Sequence, residues 1–191
     1  MSINLLETIQ QNLHYQPLQK VDPNTQEVVV DDTTPNEERF SQATIPGAII
    51  ALYKFSTTEN GAATLLQNDT KSDWPTIIFG ETKMDFYEKI CSYSNHPMNS
   101  CVTKTNEIFG AAVTAIKEKV APDNNIDAVK ELLADQRSLV LPYLPPGLML
   151  GEALNDNTLD DRTNKMEGPV SNLMHTIGNI FSSSDEVKTP K

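Results

Sequence analysis

Apolar side chains recur along this chain every three or four residues, and no block alternates them every second residue. Spacing of three and four builds an apolar stripe on a helix, whereas alternation builds one face of a strand. The pattern predicts an all-α fold, a multihelical bundle of short amphipathic helices. Prolines and glycines punctuate the stripes and set the corners between them.

Residues 3–13 carry Ile3, Leu5, Leu6, Ile9 and Leu13 at helical spacing. The stretch 12–36 holds Pro17, Pro23 and Pro35 and reads as a long connection; Val28 to Val30 is too short and unpartnered for a stable strand. Helical spacing returns at Asn36, a fair N-cap with Glu37 and Glu38 in the first turn. Pro46 and Gly47 are expected to kink or restart that helix. After a turn at 57–60, Gly61 to Leu66 forms a small-residue helix. Trp74-Pro75 opens the apolar run Ile77-Ile78-Phe79, closed by Gly80. A helix over 83–93 places Met84, Tyr87, Ile90 and Cys91 on one face, and Asn95-His96-Pro97 ends it. The next runs to about Val120, with Cys101, Val102, Ile108, Phe109, Val113 and Ile116 inward. Another, over 126–141, turns Val129, Leu132, Leu133, Leu139 and Val140 inward. Pro142, Pro145, Pro146 and Gly147 make a rigid corner. A last amphipathic helix is expected over 169–181.

These elements divide the chain into five parts. They are an N-terminal helix with a polar connection (1–35), a helical hairpin (36–70), a main helical domain (71–154), a linker with the C-terminal helix (155–181) and a disordered tail (182–191).

Charge narrows the partners. Of 191 residues, 15 are Lys or Arg and 26 are Asp or Glu, for a net charge of −11. The acidity is spread along the chain, and such a field repels nucleic acid and anionic lipid. Lysines between 83 and 119 alternate with acidic residues and form no basic face. The apolar stretch 45–55 is too short to span a bilayer, and residues 1–15 lack the basic start of a secretory signal. The expectation is a soluble, cytoplasmic protein without a transmembrane segment.

Chemistry-bearing groups are sparse. His14, His96 and His175 lie on separate elements without metal-ligand spacing. Asp31-Asp32 and Asp160-Asp161 lack the alternating ligands and central glycine of a calcium loop. No phosphate-binding glycine loop and no nucleophile elbow occur. Cys91 and Cys101 flank the turn at 95–97. In an antiparallel helix pair they stand face to face, as small packing residues or, if their Cα atoms lie within about 7 Å, as a redox pair. His96 is the only local base for a thiolate. The packing reading is preferred.

Three segments, in order, resemble the YidB-like bacterial family, an all-helical domain of unknown function. The first runs from Ala43-Thr44-Ile45-Pro46 through Leu52-Tyr53 and Glu59-Asn60-Gly61-Ala62-Ala63 to Leu65-Leu66. The second is Ile77-Ile78-Phe79-Gly80 with the helix after it. The third is Leu132-Leu133-Ala134-Asp135-Gln136-Arg137-Ser138 followed by Leu144-Pro145-Pro146-Gly147-Leu148. The resemblance covers about residues 3–154. Cys91 and Cys101 stand where the family usually has a Gly-Leu turn and an apolar-Pro run. It implies a multihelical fold and no particular activity.

The sequence thus points to a non-enzymatic helical protein without a cofactor, acting through a protein partner or self-association. The corner reads first as a plug of the core; if it docks a partner instead, the contact residues are Tyr143, Leu144, Pro145, Leu148 and Met149, with Leu173, Ile177 and Phe181 on the last helix second. The alternative is a thiol-based redox or small-ligand-binding protein using Cys91 and Cys101.

Overall fold

A computed structural model describes residues 3–21, 33–148 and 150–154. All regular structure among these residues is helical: α1 (Leu5–Leu13), α2 (Asn36–Ser56), α3 (Glu59–Gln67), α4 (Trp74–Phe79), α5 (Lys83–Ser94), α6 (Met98–Val120), α7 (Ile126–Val140) and α8 (Leu150–Ala153), with short 3₁₀ turns at Gly80–Thr82, Leu141–Tyr143 and Pro146–Leu148. None of the described helices is long and apolar enough to cross a membrane. The expected connection at Val28–Val30, the paired aspartates 31–32 and 160–161, His175 and the expected helix over 169–181 lie outside the described residues.

Helix α2 is the axis of the molecule and touches α1, α3, α4, α5, α6 and α7. From Ala43 to Leu52 every residue is buried, so this helix has no solvent face through its middle turns. A helix apolar all round must sit inside a core. That burial also explains Pro46. The expected restart does not occur: α2 runs from Asn36 to Ser56 through Pro46, within a segment packed against several other helices. Gly47 provides clearance, since a Cβ there would lie 3.2 Å from Leu150 and 3.7 Å from Phe86.

Four helix starts are fixed by a local side chain. Asn4 accepts the Leu6 and Glu7 N–H groups, Thr58 that of Gly61, Asp73 that of Thr76 and Asn125 that of Ala128. Asn36 departs from its expected role. The boundary falls on Pro35, and the Asn36 side chain donates instead to the Asn95 carbonyl, 3.3 Å away. The Ile77–Gly80 run belongs to α4, which Gly80 closes at φ +55°.

One apolar cluster extends from Leu5 through α2 and α4–α7 to Leu150, so the core does not divide at residue 70. Two expected core positions lie outside it: Met84 and Leu139 are 44% and 41% exposed. On α7 the inward position is taken by Gln136, which is fully buried.

Candidate functional site

The α5–α6 turn gathers the most chemically distinctive groups among the described residues. Asn95 adopts the left-handed conformation (φ 52°) that ends α5, and the His96 N–H closes the helix by donating to the Cys91 carbonyl at 3.1 Å. Pro97 then starts α6. This reversal sets the last turn of α5 against the first turn of α6. Cys91 and Cys101 meet with their Cα atoms 5.8 Å apart, and their sulfurs are joined as a disulfide. The preferred reading of two separate packing thiols is therefore corrected: the residues are buried, and they are bonded to each other.

The two sulfurs have unlike surroundings. Cys101 is fully buried, its Sγ 3.9 Å from the Tyr87 carbonyl. Cys91 is 7% exposed and lines an open cleft of about 660 Å³ with Glu88, Ser92, His96 and Met98. Its Sγ lies 3.6 Å from the Met98 sulfur.

His96, the expected base, is engaged elsewhere. Nδ1 lies 3.3 Å from the Ser94 carbonyl and Nε2 3.4 Å from a Glu37 carboxylate oxygen on α2. Both neighbours are acceptors, so both contacts are hydrogen bonds only when both ring nitrogens carry hydrogen. The ring packs against Phe40 with centroids 5.2 Å apart. Lys104 bonds the same Glu37 carboxylate and lies 5.7 Å above the Phe40 ring. Tyr15 also packs against Phe40, and burial together with the Glu37 and Glu107 charges pushes its hydroxyl up to about 12. With the Asn36–Asn95 bond, these contacts tie the disulfide hairpin to the start of α2. Tyr87 is likewise pushed up to about 12 by burial and the Asp73 charge, against a hydrogen bond to Asn106, so neither phenol ionises near neutral pH.

The second place of interest is the proline corner. Pro145 and Leu148 are buried and belong to the interior; Tyr143 and Leu144 are half-buried at its edge. Met149, Leu173, Ile177 and Phe181 lie outside the described residues. The corner backbone is held by the chain's own N-terminal segment. The Val21 N–H donates to the Pro142 carbonyl at 2.9 Å, and Gln42 Nε2 donates to the Tyr143 carbonyl at 2.7 Å. The same Gln42 amide accepts from the Gln19 N–H and donates to the Gln19 carbonyl, both at 2.9 Å. The sequence motifs single out neither Gln42 nor Gln136 for a structural role. The signal for Gln136 was present: it lies seven residues after Val129 and four before Val140, in register with the buried stripe.

No protein-family model, no curated protein and no solved structure matches this chain.

Proposed function

We propose that the chain is a non-enzymatic helical interaction module whose contact surface is the proline corner. The observation that carries this reading is the double fixing of the corner backbone through Pro142 and Tyr143. Tyr143 and Leu144 stand half-exposed on a segment that proline and hydrogen bonds have already ordered, so docking on them costs little further conformational entropy. Pro145 and Leu148 support that platform from inside. A net charge of −11 opposes a second copy and favours a partner that rims an apolar centre with Lys and Arg. The all-helical fold is the one implied by the YidB-like resemblance, which stays part of this proposal.

The test compares three purified chains as baits in a lysate of the host. These are the native chain, Tyr143→Ala with Leu144→Ala, and Met84→Ala as an exposed control on α5. A stoichiometric partner held by the native and control chains, lost by the double variant and released by salt supports the reading. Equal retention by all three, or a salt-insensitive homodimer, overturns it.

A second reading, thiol-based chemistry, is favoured by the Cys91–Cys101 bond. Persistent disulfides belong to oxidising compartments, and cytosolic ones are mostly redox-active. Under this reading the cytoplasmic expectation holds only for a pair that is cycled. The free-thiol content of the chain inside its own cells tests it.

A further inference from the structure

We infer that Cys91 is a site of thiol–disulfide exchange with small thiols, and that Cys101 is the sulfur that leaves. This rests on the second reading above, in which the pair is chemically active.

Attack on a disulfide requires a thiolate to approach one sulfur in line with the S–S bond, and access decides which sulfur that is. The two ends of this bond differ in access. Cys91 borders the open cleft beside Glu88, Ser92 and Met98. Cys101 has no exposed surface and is covered by the α5 backbone at Tyr87. Met98, 37% exposed, has its sulfur 3.6 Å from Cys91 Sγ and so narrows the approach, which favours small thiols over bulky ones. Glu88 in the wall and the net charge of −11 further favour neutral or cationic thiols over anionic ones.

The electron count is simple. The incoming thiolate sulfur bonds to Cys91 Sγ as the Cys91–Cys101 bond breaks. Cys101 departs with the bonding pair and takes up the proton released when the small thiol ionised. A second small thiolate attacks the mixed disulfide at its own sulfur. That step releases Cys91 as a thiol, after protonation, and a low-molecular-weight disulfide. The protein gains two electrons and two protons, and two small thiols supply them.

The experiment uses the full oxidised chain under native conditions with 2-mercaptoethanol, a small neutral thiol. The reaction is quenched in acid, free thiols are alkylated, and the adducts are mapped by peptide mass. The expected result is a mixed disulfide on Cys91 with alkylated Cys101, in an excess over the reverse pattern on the order of tenfold or more. In urea, where both sulfurs are exposed, the excess should fall to near unity. Equal adducts in the folded chain, a majority on Cys101, or no adduct until the chain unfolds would overturn the inference while leaving the disulfide in place. Two free thiols in the chain before any reductant is added would instead remove the reading on which it rests.

Discussion

Gln136 and Leu5 are 131 positions apart and are joined by a buried hydrogen bond: Gln136 Oε1 accepts the Leu5 N–H at 2.9 Å. The same amide donates through Nε2 to the Ile3 carbonyl, also at 2.9 Å. One side chain thus satisfies a backbone donor and acceptor where α1 begins, a place where helix geometry offers no internal partner. It also sets α1 onto the core. Gln136→Leu keeps the volume and leaves both backbone groups unpaired, so the chain should lose about 2–4 kcal/mol in urea denaturation. Gln136→Glu retains the acceptor and should fall between. A loss within experimental error for Gln136→Leu would show that α1 is held by its apolar face alone.

Gly61 reverses the usual effect of alanine in a helix. Replacing glycine by alanine ordinarily stabilises a helix by about 1 kcal/mol. Here a Cβ would run into the Phe55 carbonyl, which belongs to the backbone of α2 and cannot swing aside. Gly61→Ala should therefore destabilise the fold by about 2 kcal/mol or more, read as a lower thermal midpoint. A stabilised variant would contradict the close approach of α3 to the end of α2.

The disulfide closes a short loop between α5 and α6, with a sequence separation of 10. Loop-closure entropy for that length gives a stabilisation of about 2–3 kcal/mol. A chain with both Cys91→Ser and Cys101→Ser should be less stable by that amount and keep its helical circular dichroism. Unchanged stability would show that the packing around Phe40, His96 and Glu37 already holds the turn.

Asp73 links stability to pH. Burial raises its carboxyl, but hydrogen bonds from the Thr76 hydroxyl and N–H and the Lys83 charge outweigh it and hold the group below its ordinary value. A carboxylate lowered on folding contributes stability that is complete above its unfolded value and lost as pH falls through its folded value. Asp73 is largely exposed, so the effect is modest. Asp73→Asn keeps an acceptor for the α4 N-terminus and removes the charge. The native chain should exceed it in urea midpoint at neutral pH, and the two should converge on the acid side of the carboxylate range. A difference that persists in acid would assign the effect to shape instead of charge.

The sequence discloses this fold to the extent that its information is local. Helical spacing and the cap residues Asn4, Thr58, Asp73 and Asn125 are written in neighbouring positions, and the helices form there. The restart expected at Pro46 does not occur because the local cost of proline is visible in the sequence and the packing that offsets it, from several distant helices, is not. Met84 and Leu139 are apolar at helical spacing but lie where the bundle has no neighbour to cover them. At the site, the antiparallel turn brought Cys91 and Cys101 within the distance a disulfide needs. Which of the two cysteines borders the cleft could not be read from spacing, because it depends on Tyr87 and Met98. Gln136 and Gln42 escaped notice because a buried amide is recognised only by the distant backbone it binds.

The central claim is that a partner docks on Tyr143 and Leu144. It is tested most directly by placing a photoreactive benzophenone amino acid at position 143 in the living host, with the same residue at position 84 as control. The account predicts an ultraviolet-dependent crosslink from 143 to one basic protein of defined mass, absent from 84 and lost when Leu144 is also replaced by Ala. Crosslinks from both positions to the same proteins, or no crosslink at 143 in a folded chain, would contradict it.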